Sequence, residues 1–173
     1  MAVVTKDQIM TVLGNFVQNV LPGLVVVQAQ INRVPEPADS DFVVLNMIGI
    51  NRLSTNLDVL DYANDEKDVT TSSTVRVQMD VHGPNSAANS ATIVALFRDE
   101  YAYDFFYAAN PSIAPLHADD AMQTPFENDQ TQVEFRWIID ATLECTSEIA
   151  VPQLSADELS AGLIPVNTTY PAA

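Results

Sequence analysis

The sequence predicts a single α+β domain, in which an antiparallel or mixed β-sheet carries two main helices on one face and extended arms project from it. Three observations predict this class. Two segments have apolar residues at helical spacing, and several others alternate between apolar and polar residues. The order helix, strands, helix, strands is the third, because such domains place their helices on one face of a sheet. The 173 residues, 47% of them hydrophobic, suffice for one sizeable core.

The first helix is predicted by a capping box followed by apolar residues at helical spacing. Thr5 precedes Gln8 by three residues, so the two side chains can satisfy free backbone N–H groups at a helix start. Helical spacing continues to Val20, and the proline and glycine at positions 22–23 predict the helix end. Gly14 lies within this helix, where glycine costs about 1 kcal/mol relative to alanine, and it predicts a close packing contact.

Five segments are predicted to be strands. Residues 24–31 are rich in valine, and the nearly continuous apolar run at 42–52 predicts a strand covered on both faces. Residues 74–82 alternate between polar and apolar, which is typical of a half-buried strand. A short strand is predicted at 113–117. The alternation over 132–144 exceeds the usual five or six residues, so this strand is expected to outgrow its own sheet.

A polar connection and a second helix lie between these strands. Residues 54–68 hold six charged side chains and predict a solvated or lumen-facing connection with room for one short strand. The second helix is expected to begin with a cap at Asn85 or Ser86, directly after a glycine and a proline, and to run to about Tyr107.

Proline marks two extended arms. Pro35 and Pro37 stiffen the segment after the first predicted strand. Residues 151–173 contain three prolines and little periodicity, which predicts an extended C-terminal arm beyond a domain that spans residues 1–150. An arm of this kind can dock on a neighbouring chain.

The charge of the chain argues against nucleic-acid binding. It has 23 acidic and 7 basic residues, a formal net charge of −16. From Pro84 onward, 13 acidic residues are accompanied only by Arg98 and Arg136, a net charge of −11. Proteins that bind DNA need lysine and arginine to displace counterions, so this chain is expected to repel a duplex. The acidity serves either ordinary solubility or a passage whose walls do not hold DNA.

Membrane insertion and disulfide formation are not expected either. No apolar run approaches the roughly 20 residues of a membrane-spanning helix, and no signal peptide is evident, so cytosolic synthesis without a membrane partner is expected. Cys145 is the one cysteine in the sequence, which excludes an intrachain disulfide and predicts a small buried hydrophobic residue.

Few side chains offer catalytic chemistry, and no catalytic residue or cofactor is predicted. The five glycines are too scattered for a nucleotide-binding loop, and no serine lies in a glycine-flanked elbow. His117, Asp119 and Asp120 could together hold a divalent ion, although the two aspartates equally suit helix or turn caps. Asp99 and Glu100 are expected to be adjacent in the second helix, with side chains about 100° apart that cannot converge on a substrate.

Four motifs occur in a specific order over most of the chain. They are QINRVPEP at 30–37, VQMDVHGP at 77–84, PLHADDAMQTPFENDQTQVEFRW at 115–137 and GLIPVNTTYP at 162–171. Together they resemble the phage neck or tail terminator proteins with a terminator-like domain. Their order and spacing are more specific than any one of them alone.

The resemblance implies a non-enzymatic virion protein that forms a ring of six copies on the last ring of the tail tube. The ring would join the tube to a neck or head-completion protein and pass DNA through an acidic lumen without binding it specifically. It would assemble in the cytoplasm of the bacterial host. A ring subunit needs edges and arms for its neighbours, which the arm at Pro35 and the long strand around Trp137 would supply, and arginine is enriched at interfaces. The intersubunit or partner residues predicted on this basis are Asn32, Arg33, Pro35, Asp119, Asp120, Arg136 and Trp137.

Three alternatives stay open at this point. Another connector, such as a head-closure or tail-completion protein, would work in the same setting. A small enzyme or metal-binding module would use His117, Asp119 and Asp120. A soluble ligand-binding domain with an acidic surface would remain monomeric.

Overall fold

Three helices and a mixed sheet make up the residues that the computed structural model describes, which are 3–29, 41–124, 126–127, 133–154 and 162. The helices lie on one face of the sheet, so the predicted α+β class is confirmed. The helices are α1 (Lys6–Val20), α2 (Ser86–Phe97) and α3 (Glu100–Ala109). The strands are β1 (Val25–Gln28), β2 (Phe42–Arg52), β3 (Leu57–Asp61), β4 (Glu66–His82), β5 (Ile113–Ala118), β6 (Met122–Gln123), β7 (Phe126–Glu127), β8 (Val133–Glu134) and β9 (Arg136–Pro152).

The sheet is built around one long antiparallel pair. Its strand order is β1-β2-β4-β9-β5, with β3 beside β4 and β6 beside β9, while β7 and β8 form a separate hairpin. Strand β1 runs parallel to β2, and the other neighbours are antiparallel. Strands β4 and β9 pair without a register shift over 17 residues each, from Glu66 opposite Pro152 to His82 opposite Arg136. The two are therefore about three times as long as a typical strand.

Helix α1 forms as the sequence predicts. The Thr5 hydroxyl accepts a hydrogen bond from the backbone N–H of Gln8, whose side chain accepts one from the Thr5 N–H, so the capping box is complete. Gly14 lies against β1 and β2, as expected of a packing contact. A Cβ added there would lie 3.7 Å from side-chain atoms of Leu45 and Val26, an ordinary van der Waals distance, so the contact also leaves room for a methyl group.

The prediction of one continuous second helix to Tyr107 is wrong, because Asp99 begins a new helix. Its extended backbone ends α2, and its carboxylate accepts a hydrogen bond from the Tyr101 N–H at 2.9 Å as the cap of α3. Asp99 is therefore a cap and not a helical neighbour of Glu100. At the start of α2, Asn85 makes no side-chain cap bond. Its backbone N–H and side-chain amide donate instead to the Asp41 carboxylate, at 3.0 and 2.8 Å.

The connection predicted over 54–68 contains a short strand, β3, for which the sequence left room, but it is not a loop, because β3 and the start of β4 form a hairpin there. The Asp61 carboxylate accepts hydrogen bonds from the Asn64 amide at 2.7 Å and the Ala63 N–H at 3.0 Å, and these bonds lower the pKa of Asp61. Asp65 adopts a positive φ of 52° in the same turn. The hairpin was missed because its strands are solvated on both faces and lack the alternation of a half-buried strand.

Strand β2 is covered on both faces, as predicted, only at its start. Phe42 is buried against His82 on the outer face and Val43 and Leu45 are buried against the helices, whereas Ile48 and Ile50 have 46% and 58% of their surface exposed. The register shifts near Gly49, where a bulge interrupts the pairing with β4. An apolar run can thus continue past the edge of the core, and its outer members remain available for another surface.

The long strand predicted at 132–144 begins and ends differently. It is divided into β8 and β9 at Phe135, and β9 continues to Pro152. Residues 151 and 152 of the predicted C-terminal arm therefore still belong to the sheet. Residues 155–161 and 163–173 of that arm lie outside the described residues, so the arm and the domain boundary at 150 stay predictions.

The core lies between the three helices and the inner face of the sheet. Alternate residues of β4 from Val75 to Val81 point into it, which confirms the predicted alternation, and they meet Ile139, Ala141 and Leu143 of β9. Phe16 of α1 is fully buried, and its ring contacts four aromatic rings of α2 and α3. These four are Phe97, Tyr101, Phe105 and Phe106, with centroids 5.6–6.4 Å away.

Cys145 is buried, as predicted, and we expect it to react slowly in the folded protein. Burial, and then the charge of Glu144, raise the pKa of its thiol from 9.0 to about 11. At pH 8 the folded state then holds about 100-fold less thiolate than the unfolded state. Colorimetric thiol labelling with and without denaturant measures this difference, and equal rates would contradict it. Because the folded thiol holds its proton more tightly, its contribution to stability is present below pH 9 and is lost as the pH rises towards 11.

Candidate assembly surfaces

The outer face of the sheet, turned away from the helices, carries a row of polar contacts along β4 and β9. Arg136 donates to Asp80 at 2.8 Å and Arg76 donates to Asp140 at 3.4 Å. Further along, the Ser72 hydroxyl donates to Glu144 at 2.6 Å. Both arginines of this row are therefore held by carboxylates of the same chain.

The pair of Arg136 and Asp80 is the most enclosed of these contacts. The two side chains have 23% and 13% of their surface exposed, whereas Arg76 and Asp140 have 49% and 31%. Arg136, predicted as an interface residue, thus has a partner within its own chain. A role between subunits stays a prediction for this residue.

Trp137 follows Arg136 directly but lies on the opposite, helix-bearing face, because successive residues of a strand alternate in direction. It lines a surface groove of about 490 Å³, here called the α2 groove. The other lining residues come from α2 and from the segment after β5: Ala87, Ala91, Val94, Ala95, Arg98, Asp120 and Ala121.

Two of the three residues considered for a metal site lie together, and the third points elsewhere. His117 Nε2 lies 3.3 Å from Asp119, whereas Asp120 forms an ion pair with Arg98 at 2.9 Å. Arg98 also donates to the carbonyl oxygen of Ala118 at 2.7 Å, which fixes it beside the α2 groove. Among the described residues, no group of three or more histidine, cysteine or acidic side chains is arranged to hold a metal ion. Asp119 and Asp120 thus have partners within the chain, and the predicted intersubunit role is untested.

The remaining predicted residues, Asn32, Arg33 and Pro35, lie outside the described residues. Sequence reasoning missed a larger feature, here called the projecting ribbon. It consists of β3, residues 66–74 of β4 and residues 146–152 of β9. Each residue of these segments is half-buried or exposed, so the helices do not cover them. Nine residues of extended chain give the ribbon a length of about 30 Å.

The projecting ribbon carries exposed apolar side chains between its charges. On β3, Leu57, Val59 and Leu60 have 62%, 50% and 40% of their surface exposed. Tyr62 at the turn is 74% exposed, and Ile149 on β9 is 47% exposed. Leu57 and Val59 point to one face of the ribbon and Leu60 to the other, because successive residues of a strand alternate in direction. Large apolar side chains exposed outside the core are typical of a contact surface. The available signal in the sequence was the pair of leucines and the valine among the aspartates of 57–61.

A family model described as phage neck terminator protein matches residues 7–168. The chain belongs to this family. The resemblance inferred from the four motifs is thereby confirmed, and membership makes the chain a structural component of the phage virion, of the tail terminator type. No curated protein matches the chain.

The fold of this terminator protein recurs in a solved structure of an extracellular contractile injection system. The chain is similar to the PVC sheath/tube terminator in its extended state, with a TM-score of 0.58 and 9% sequence identity. The match covers 100% of this chain and 67% of the other. At this identity the likeness concerns the fold.

The two outer strands of the terminator's sheet differ in how open they are to pairing. Strand β5 contains Pro115 and a register shift before His117, and both features discourage another strand from joining it. Strand β1 has neither, and within the described residues it pairs only with β2. Beside it lies a smaller groove of about 240 Å³, here called the α1 groove, which Thr11 and Gly14 help to line.

The described residues also bear on the membrane question. No helix among them combines the length and the apolar composition needed to cross a bilayer.

Proposed function

We propose that this terminator forms a ring of six copies that closes the head-proximal end of the tail tube and joins it to a neck or head-completion protein. The observation that carries the proposal is the family match over residues 7–168. The projecting ribbon supports the proposal, because large apolar side chains that are exposed on a charged chain are typical of a surface that binds another protein. The ring has no catalytic role and assembles in the host cytoplasm.

We further propose that DNA passes through the ring without being held, along surfaces that include the outer face of the sheet. Arg76 and Arg136 on this face are paired with carboxylates, so neither is left to exchange counterions with a phosphate. With a net charge of −16 on each copy, the field of the ring repels DNA. Repulsion of this kind suits a passage through which DNA has to move.

The test uses purified full-length protein with and without tail tubes. Mass photometry is expected to give a species of six times the 18.9 kDa of one chain. Negative-stain images of mixtures should contain rings at one end of the tubes, and capped tubes should not elongate when tube protein is added. Retention on immobilised duplex DNA at about 50 mM salt is expected to be absent.

Two results would overturn the proposal. Rings that bind a portal or head-completion protein but leave tube ends bare would favour a connector at the head side. A protein that remains monomeric at tens of micromolar and binds no tube would remove the ring altogether.

A further inference from the structure

Helix α2 has an unusual composition for a helix at the surface of an acidic protein. None of its twelve residues is charged, and its exposed positions include Ala87, Ala91 and Ala95. A surface helix normally carries charged and polar residues on its outer side, so an uncharged, alanine-rich outer side is typical of a helix that another surface covers. In a single chain its inner side packs on the sheet, while its outer side forms the wall of the α2 groove.

The α2 groove and the projecting ribbon lie at opposite ends of the same strand. Trp137, in the groove wall, is the second residue of β9, and the ribbon begins at residue 146 of that strand. At about 3.4 Å for each residue, the two surfaces are about 30 Å apart. The ribbon therefore cannot fold back into the groove of its own chain. A groove at one end and a projection at the other favour head-to-tail contacts, which close into a ring when the rotation suits.

We propose that the projecting ribbon of one copy docks in the α2 groove of the next copy, an inference that rests on the ring proposed above. Leu57 and Val59, which share one face of β3, then pack against the alanines of α2 and against Trp137. The occupant is a second copy of this chain, because the described residues include both apolar surfaces and leave both exposed.

Charge supports this docking. The ribbon is strongly acidic, with Asp61, Glu66 and Asp68 beside the ion pair of Lys67 with Asp58. Most surfaces of a chain with a net charge of −16 would repel it. The α2 groove does not, because its charged lining residues are Arg98 and Asp120, which neutralise each other. Arg98 is also 37% exposed, so its guanidinium group is accessible to a carboxylate of the ribbon.

The size of the contact agrees with a ring better than with a dimer. A ribbon three strands wide and about 30 Å long offers about 400 Å² on one face. A stable interface takes about 800 Å² from each partner. One docked ribbon therefore holds a pair of copies weakly, whereas each copy in a closed ring makes two such contacts. Assembly is expected to pass from monomer to ring with few intermediates.

Disulfide trapping tests the docking in the full-length chain. In a Cys145→Ala background, Val59→Cys is combined with Ala91→Cys in the α2 groove. Mild oxidation is expected to give a ladder of linked species up to the ring. The matched control combines Val59→Cys with Thr11→Cys, which places the second thiol in the α1 groove. A ladder from the control pair alone, with rings still present by mass photometry, would overturn the docking site but not the ring.

A charge substitution provides the second readout. Ala91→Glu is expected to raise the concentration at which half of the protein is assembled by about tenfold or more, because the docked ribbon would bury an unpaired carboxylate beside its own acids. The control is Ala108→Glu, at an exposed alanine of α3. Glutamate is a good helix former, so both variants should keep the circular dichroism spectrum and Tm of the parent. Unchanged ring formation by Ala91→Glu would overturn the proposal, whereas monomers from the parent protein would point to the ring itself as wrong.

Discussion

Phe16→Ala is expected to lower the free energy of unfolding by about 3–5 kcal/mol. The side chain is fully buried, and its ring touches rings of both α2 and α3. Its removal leaves a cavity where all three helices meet, and the neighbouring rings can only partly fill it because they pack on one another as well. The aromatic contacts add to the loss of buried area.

Chemical unfolding followed by circular dichroism measures this loss. The matched control is Phe135→Ala, since Phe135 is 59% exposed and its truncation should change the free energy by less than about 1 kcal/mol. The slope of the transition should stay the same in both variants if the fold is retained. A loss below about 1.5 kcal/mol for Phe16→Ala would show that the aromatic cluster rearranges freely.

Arg136→Ala is expected to destabilise the chain by about 2–4 kcal/mol, because it leaves the carboxylate of Asp80 enclosed without its cation. Asp80 keeps only 13% of its side-chain surface in contact with solvent. Water can therefore compensate little of the lost ion pair. The truncation also removes the stem of the arginine, which covers part of the neighbouring sheet surface.

A double-mutant cycle with Asp80→Ala isolates the energy of this pair. The control is Arg76→Ala, which removes the next pair along the same face. That pair is longer and more exposed, so its loss should cost about 1 kcal/mol or less. If the two arginine variants were equally stable, the enclosure of Arg136 would have no energetic consequence.

The parts of the fold that the sequence predicted are those where local chemistry and burial agree. The Thr5 capping box, the end of α1 and the alternation from Val75 to Val81 all depend on neighbouring residues in the chain. The break at Asp99 could not be predicted from spacing, because apolar residues continue on both sides of it. An aspartate followed by a glutamate was the local signal for a new helix start.

The contact surfaces were harder to predict for a different physical reason. A strand that projects into solvent has no buried face, so β3 combines aspartates with leucines and lacks a clean pattern. Trp137 was predicted to lie at an interface because it belongs to the long strand that was expected to outgrow its own sheet. Its neighbours in the α2 groove come from a distant helix, and only the folded chain brings them together. Asp120 was expected among caps or partners, and Arg98 meets it across the same groove.

The unbroken pairing of β4 with β9 makes these two strands a stiff structural element. All 17 residue pairs keep one register, and a slip of one residue would turn Val75 and Val77 out of the core. We therefore expect a force on the turn that contains Asp65 to tilt the two strands together instead of sliding one along the other. The end of β9 at Trp137 is then expected to move with that turn.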